Sequence, residues 1–98
     1  MDLRNNQLTD VKGLEKLTKL KVLWLNHNQL TDVKGLENLT QLKALNLSDN
    51  KLTDVKGLEK LTQLTNLSLR NNPTLTKAQI EELQKSLPNC EINHNAKK

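Results

Sequence analysis

Very few side chains in this protein are equipped for chemistry: two histidines, His27 and His94, one cysteine, Cys90, and one aromatic residue, Trp24. A histidine beside a carboxylate is two-thirds of a hydrolytic triad, and His27 has such a carboxylate in Asp49, 22 positions further on. No serine or cysteine is placed to complete that set, so the two read as a cross-strand ion pair. Two histidines can also share a metal ion. Whether they meet depends on the elements that carry them.

Those elements repeat. Leu8 to Gln29 reads LTDVKGLEKLTKLKVLWLNHNQ, Leu30 to Lys51 reads LTDVKGLENLTQLKALNLSDNK, and Leu52 to Pro73 reads LTDVKGLEKLTQLTNLSLRNNP. Self-similarity at a fixed period of this length is the mark of a solenoid, where each unit buries its apolar face against its neighbours. Each unit has two halves. In Leu20 to Leu30, Leu23 and Leu25 alternate with Trp24, the period of two expected of a strand with one face in the core. Strands recurring in one direction must be parallel and stack about 4.8 Å apart. Asn28, Asn50 and Asn72, with Asn6 and Asn95 at the ends, then form a column of amides able to satisfy backbone groups where the chain leaves the strand. In the other half, Val33, Leu36 and Leu39 are spaced by three, which suits a 3₁₀ turn. Thr31 and Asp32 precede that turn as expected caps, and Gly13, Gly35 and Gly57 share a position that predicts a positive φ or a close approach between coils.

The repeat breaks after Asn72. Thr76 to Gln79 predicts a capping box for a helix from Lys77 to about Leu87, with Ala78, Ile80, Leu83 and Leu87 inward. Cys90 to Asn95 then aligns on Leu67 to Asn72 as a last strand, placing Cys90 at a core leucine position as a buried, inert thiol. At the other end, Met1 to Gln7 aligns on Leu23 to Gln29, so the chain begins in mid-repeat without a visible cap. Either it is a fragment of a longer array, or another copy of the chain covers the open end in an end-to-end homodimer. The expected division is residues 1–75 as about three and a half repeat units, 76–95 as a C-terminal cap, and 96–98 as a frayed tail.

The run L-x-x-L-x-L-x-x-N-x-L followed by LTDVKGLEKLT resembles the 22-residue class of the leucine-rich repeat family, found in bacterial internalin-like proteins and in nuclear phosphatase regulators. The resemblance covers residues 1 to 75. It implies an α/β fold: a right-handed leucine-rich repeat solenoid with a short parallel β-sheet on its concave face and 3₁₀ turns on its convex face. The helix and final strand then form the C-terminal cap. It also implies protein binding rather than catalysis.

Stacking groups the outward residues into columns: Asp2, Trp24, Asn46, Ser68 and Glu91; Arg4, Asn26, Ser48, Arg70 and Asn93; Asn5, His27, Asp49, Asn71 and His94. His27 and His94 would lie three strand spacings apart, roughly 14 Å, too far to share an ion whose ligand bonds are about 2.1 Å. No metal, cofactor or catalytic residue is therefore assigned. Adjacent copies differ at seven of 22 positions in each comparison, and nine of those 14 differences fall at the five outward positions of L-x-x-L-x-L-x-x-N. Variation on one surface of two exposed ones points to a face shaped for a partner. Trp24 is its expected anchor, surrounded by Asp2, Arg4, Asn26, His27, Asn46, Asp49, Ser68 and Arg70; the alternative is a tryptophan lying over Val22 as local cover.

A protein partner of unknown identity is the expectation. Net charge is +4, with most lysines beside an acid rather than in a continuous basic stripe, which speaks against nucleic acid. No apolar run is long enough for a membrane span and no signal-like segment opens the chain, which, if complete, would be cytoplasmic. Two other readings stand beside this one. One is a structural unit, a fragment of a longer array or an engineered scaffold, without a binding site of its own. The other is a regulatory subunit docking an enzyme such as a phosphatase.

Overall fold

The computed structural model describes residues 1–96. Four three-residue strands, β1 (Val22–Trp24), β2 (Ala44–Asn46), β3 (Asn66–Ser68) and β4 (Glu91–Asn93), form one parallel sheet in chain order. Met1 to Leu3 adds a partial fifth row: Asp2 bridges Trp24, Trp24 N donates to Met1 O at 2.9 Å, and Leu3 N donates to Trp24 O at 2.8 Å. Leu23, Leu45 and Leu67 are register partners and all are buried, so the period-two pattern does place one strand face in the core.

The return segments are tight because their leucines are spaced by three. Leu36 N donates to Val33 O and Leu39 N to Leu36 O, and 3₁₀ turns occupy Leu36–Asn38 and Leu58–Lys60. Their caps differ from the expectation. Gly35 and Gly57 sit at the N-cap with φ of 102° and 106°, and no side chain caps the turn. Asp32 instead accepts from Lys34 N at 3.0 Å, Thr31 offers its carbonyl to Thr53 N, and Glu37 reaches back to Gly35 N at 2.9 Å. A left-handed N-cap is open to glycine at no steric cost. At Gly57 the neighbouring coil is also close, since a Cβ there would stand 3.3 Å from Glu37 Oε2.

Asn28, Asn50 and Asn72 are buried and tie the coils together. Asn50 Oδ1 accepts from Leu30 N at 3.0 Å, while Nδ2 donates to Leu25 O at 3.1 Å and Leu47 O at 3.0 Å. Asn28 and Asn72 repeat the arrangement one coil away on either side. The expected end members do not. Asn6 is exposed and contributes only its N–H, to Asn28 Oδ1, and Asn95 pairs with Asn71 rather than extending the column.

That last difference has one cause, the register of β4. Glu91, Ile92 and Asn93 pair with Asn66, Leu67 and Ser68, two positions away from the alignment expected from the sequence. Leu45 to Leu67 spans 22 positions and Leu67 to Ile92 spans 25, because the return here is a true helix, α1 (Lys77–Ser86). A slip of two leaves every side chain on its own face, so alternation alone cannot detect it. Ile92, not Cys90, takes the position of Leu67. Cys90 is buried all the same, just ahead of β4, where its N–H donates to Leu87 O as Leu64 N does to Leu61 O.

The capping box of α1 is formed: Thr76 Oγ1 accepts from Gln79 N at 3.2 Å, and Gln79 Oε1 accepts from Thr76 N at 2.9 Å. Ile80 and Leu83 are buried on its inner face, with Leu87 at its end. Ala78 is exposed, contrary to expectation, since two positions before Ile80 is about 200° round the helix. Of the expected tail, Ala96 packs against the core, and the expectation for Lys97 and Lys98 lies outside the described residues.

Replacing Asn50 by alanine strands the buried N–H of Leu30, whereas Leu25 O and Leu47 O each lose one donor and keep another, Asn28 Nδ2 and Asn72 Nδ2. An orphaned buried donor costs about 1–3 kcal/mol, so Asn50→Ala is expected to lower unfolding free energy by about 1–3 kcal/mol in urea titration, against about 0.5 kcal/mol or less for an exposed control such as Lys51→Ala.

Candidate functional site

The outer face of the sheet carries the residues that vary among the copies. Trp24 is 41% exposed and Val22 38%, and Val22 is the register partner of half-buried Ala44. Together they give an apolar patch on a sheet otherwise polar on this side. A shallow depression of about 330 Å³ runs from this patch across Asn46, Asn66 and Ser68 to Asn93. Asn93, not Glu91, is therefore the last member of the Trp24 column, and Glu91 stands in the Val22 column.

Asp2 and Arg4 form the N-terminal border. Arg4 Nε and Nη2 donate to the two carboxylate oxygens of Asp2 at 2.9 and 2.8 Å, and the guanidinium lies 6.0 Å from the centre of the Trp24 ring. The Arg4 side chain, helped by the Arg4 main-chain N–H, pulls the Asp2 pKa from 3.8 to about 2. Trp24 thus stands beside a paired cation and is itself partly open to water.

His27 and Asp49 pair as expected, Nε2 to Oδ2 at 3.4 Å. The contact belongs to a longer ladder: Asn71 Nδ2 donates to Asp49 Oδ1 at 2.8 Å, and Asn95 Nδ2 donates to Asn71 Oδ1 at 2.7 Å. His94 stands outside it, its Nδ1 accepting from Ala96 N. Asn5, His27, Asp49 and Asn71 all have φ near +60°, a conformation that favours asparagine, aspartate and histidine. The choice of residue at this column is set first by the backbone. That constraint is invisible in the sequence except as the restriction to these three types.

Ser48 is buried and its hydroxyl meets that of Ser68, so it is less available than its column suggested. Asn26 is half-buried, with Oδ1 shielded and without a hydrogen-bond partner. Its main-chain N–H also lacks one among the described residues, for a reason the sequence does contain. In neighbouring coils the side chain two positions earlier accepts that bond, Asp2 for Arg4 N at 3.1 Å and Asn46 for Ser48 N at 3.0 Å, and Trp24 has no acceptor to offer. Arg70 is exposed, with no carboxylate partner among the described residues. Sequence reasoning passed over Lys21 and Lys43, which stand exposed on adjacent coils at the strand entrances. The signal was a lysine at the same repeat position twice, then Thr65.

Among the described residues, no group of three or more His, Cys, Asp and Glu side chains is placed to hold a metal ion, and no helix is long and apolar enough to cross a membrane.

The family profile described as Leucine Rich repeats (2 copies) matches residues 1–38 and 40–89. The chain belongs to the leucine-rich repeat family. Its fold is that of the internalins: an internalin C2 of Listeria monocytogenes superposes with a TM-score of 0.85 at 32% identity, over 99% of this chain and 43% of its own. An internalin InlF of the same organism gives 0.83 at 30% identity, over 94% of this chain and 28% of its own. This leucine-rich repeat chain spans less than half the length of either. No curated protein matches it. Leucine-rich repeat proteins generally mediate protein–protein interactions, and internalin-like members are typically not enzymes.

Two titrations check the local chemistry. Folded Asp2 binds its proton less tightly than the unfolded chain does, so stability from the Arg4 contact is complete above about pH 3.8 and is lost as pH falls through about 2. Its carboxyl NMR shift should titrate near 2, and Arg4→Ala should return it towards 3.8. Burial raises the pKa of the Cys90 thiol, so a disulfide reagent is expected to label it only after denaturation.

Proposed function

We propose that this leucine-rich repeat chain is a protein-interaction module that binds its partner through the outer, concave face of the sheet, without catalysis. Trp24 is the anchor, with Asp2, Arg4, Asn26, Asn46, Ser68 and Arg70 as the surrounding contacts and His27 and Asp49 at the rim. In this reading residues 1–75 supply the binding repeats, and 76–95 close the C-terminal end of the core.

One observation carries the reading: the copies differ mainly on this face. Of the nine differences at outward positions, two fall in the left-handed column of His27, Asp49 and Asn71, where the backbone restricts the choice. The other seven are free of that constraint. Two exchange Trp24, Asn46 and Ser68, two exchange Val22, Ala44 and Asn66, two exchange Asn26, Ser48 and Arg70, and one replaces Lys43 by Thr65. A large aromatic half open to water within a polar ring has the composition of an interface hot spot. The Arg4 guanidinium over its ring adds a cation–π contact that favours one orientation of the ring.

The experiment is a pull-down with three folded baits: the native chain, Trp24→Ala/Arg70→Ala, and a convex-side control, Lys34→Ala/Lys56→Ala. A partner retained by the native and control baits and lost by the first variant is expected. Loss on the control bait alone would move the interface to the convex side.

A further inference from the structure

The apolar patch of the outer face has cationic borders. Lys21 and Lys43 stand at adjacent strand entrances, about one strand spacing of 4.8 Å apart, with Lys43 N donating to Lys21 O at 2.8 Å. Both are exposed, and neither has a carboxylate partner among the described residues. Like charges placed side by side across a ladder are unfavourable, and these two follow directly on the turn from which Val22 and Ala44 continue. At the far end of the same face Arg70 is also unpaired.

The acids of this face are engaged or distant. Asp2 is held by Arg4, Asp49 by His27 and Asn71, and Glu91 lies on the last strand, two strands beyond Ala44. On the convex side the charges balance: segments 10–19, 32–41 and 54–63 hold six acids and six lysines between them. Lys21 and Lys43 therefore bring positive charge without a carboxylate partner among the described residues directly beside Val22, Trp24 and Ala44.

We infer, resting on the concave-face reading above, that the partner segment is an acidic one: an extended stretch of protein with an aliphatic or aromatic side chain against Val22, Trp24 and Ala44, and an adjoining Asp or Glu on Lys21 and Lys43. The main-chain N–H of Asn26, without a partner among the described residues, offers a donor to a carbonyl of that segment. A nucleic acid fits less well. Single strands are held by stacking successive bases on a series of aromatics, and this face offers one, Trp24.

A phage-displayed random peptide library panned on the full chain, with counter-selection on folded Trp24→Ala, tests this. Recovered peptides are expected to join Asp or Glu to an apolar residue, to perturb Trp24 fluorescence, and to lose about tenfold or more in affinity on Lys21→Glu/Lys43→Glu. Raising the salt to about 0.5 M should weaken them. Lys21→Met/Lys43→Met, which removes charge without reversing it, repeats the test if the reversal disturbs folding. Peptides that require Trp24 but ignore both lysine variants would overturn the acidic partner and leave the concave face standing. Peptides indifferent to Trp24→Ala, or none at all, would overturn both. Tighter, lysine-dependent binding of a single-stranded oligonucleotide would replace the acidic segment with a nucleic acid.

Discussion

Everything in this molecule hangs on a buried amide that serves two coils at once. Asn50 takes the N–H of Leu30 and gives its two protons to carbonyls of its own coil and the one before. A strand of three residues cannot satisfy the backbone on leaving the sheet, and in a core made almost wholly of leucine nothing else is polar enough to do so. The amide column removes that cost and fixes the spacing of the coils. With the spacing fixed, identical leucines fall into register, and the outward residues form columns of their own.

Trp24 shows how the scaffold and the candidate site are linked. In neighbouring coils Asp2 and Asn46 occupy its place and accept a main-chain hydrogen bond from the residue two positions on. Tryptophan gives up that bond, and Asn26 is left with an unpartnered N–H beside an exposed ring. The third coil lacks the same bond, since the Ser68 hydroxyl pairs with Ser48 and Arg70 N has no partner among the described residues. Departures of this kind gather where a protein has something other than its own stability to serve.

Most of the fold was legible because its causes are periodic. Leu23 and Leu25, Leu45 and Leu47, and Leu67 and Leu69 recur every two, Val33, Leu36 and Leu39 recur every three, and Thr76 with Gln79 announces a helix. The misread parts are those where periodicity is silent. The register of β4 follows from the length of the return through α1, and a shift of two preserves the alternation that was being read. Ala78 looked apolar enough to be inward, but its angle on the helix turns it out. At the outer face, Trp24 and its ring were visible as residue types, whereas the left-handed backbone under His27, Asp49 and Asn71 was not. Those three looked like freely chosen surface residues and are instead the few that fit.

The amide column also bears on how such a chain can change in length. Each asparagine reaches the coil before it in the same way, and each presents the same groups to the coil after it. A duplicated 22-residue segment inserted between two others therefore meets matching chemistry on both sides, and the sheet widens by one spacing of about 4.8 Å. Recombination between near-identical copies would thus act as a ruler on the face, changing its reach in fixed steps while leaving the helix at the end untouched.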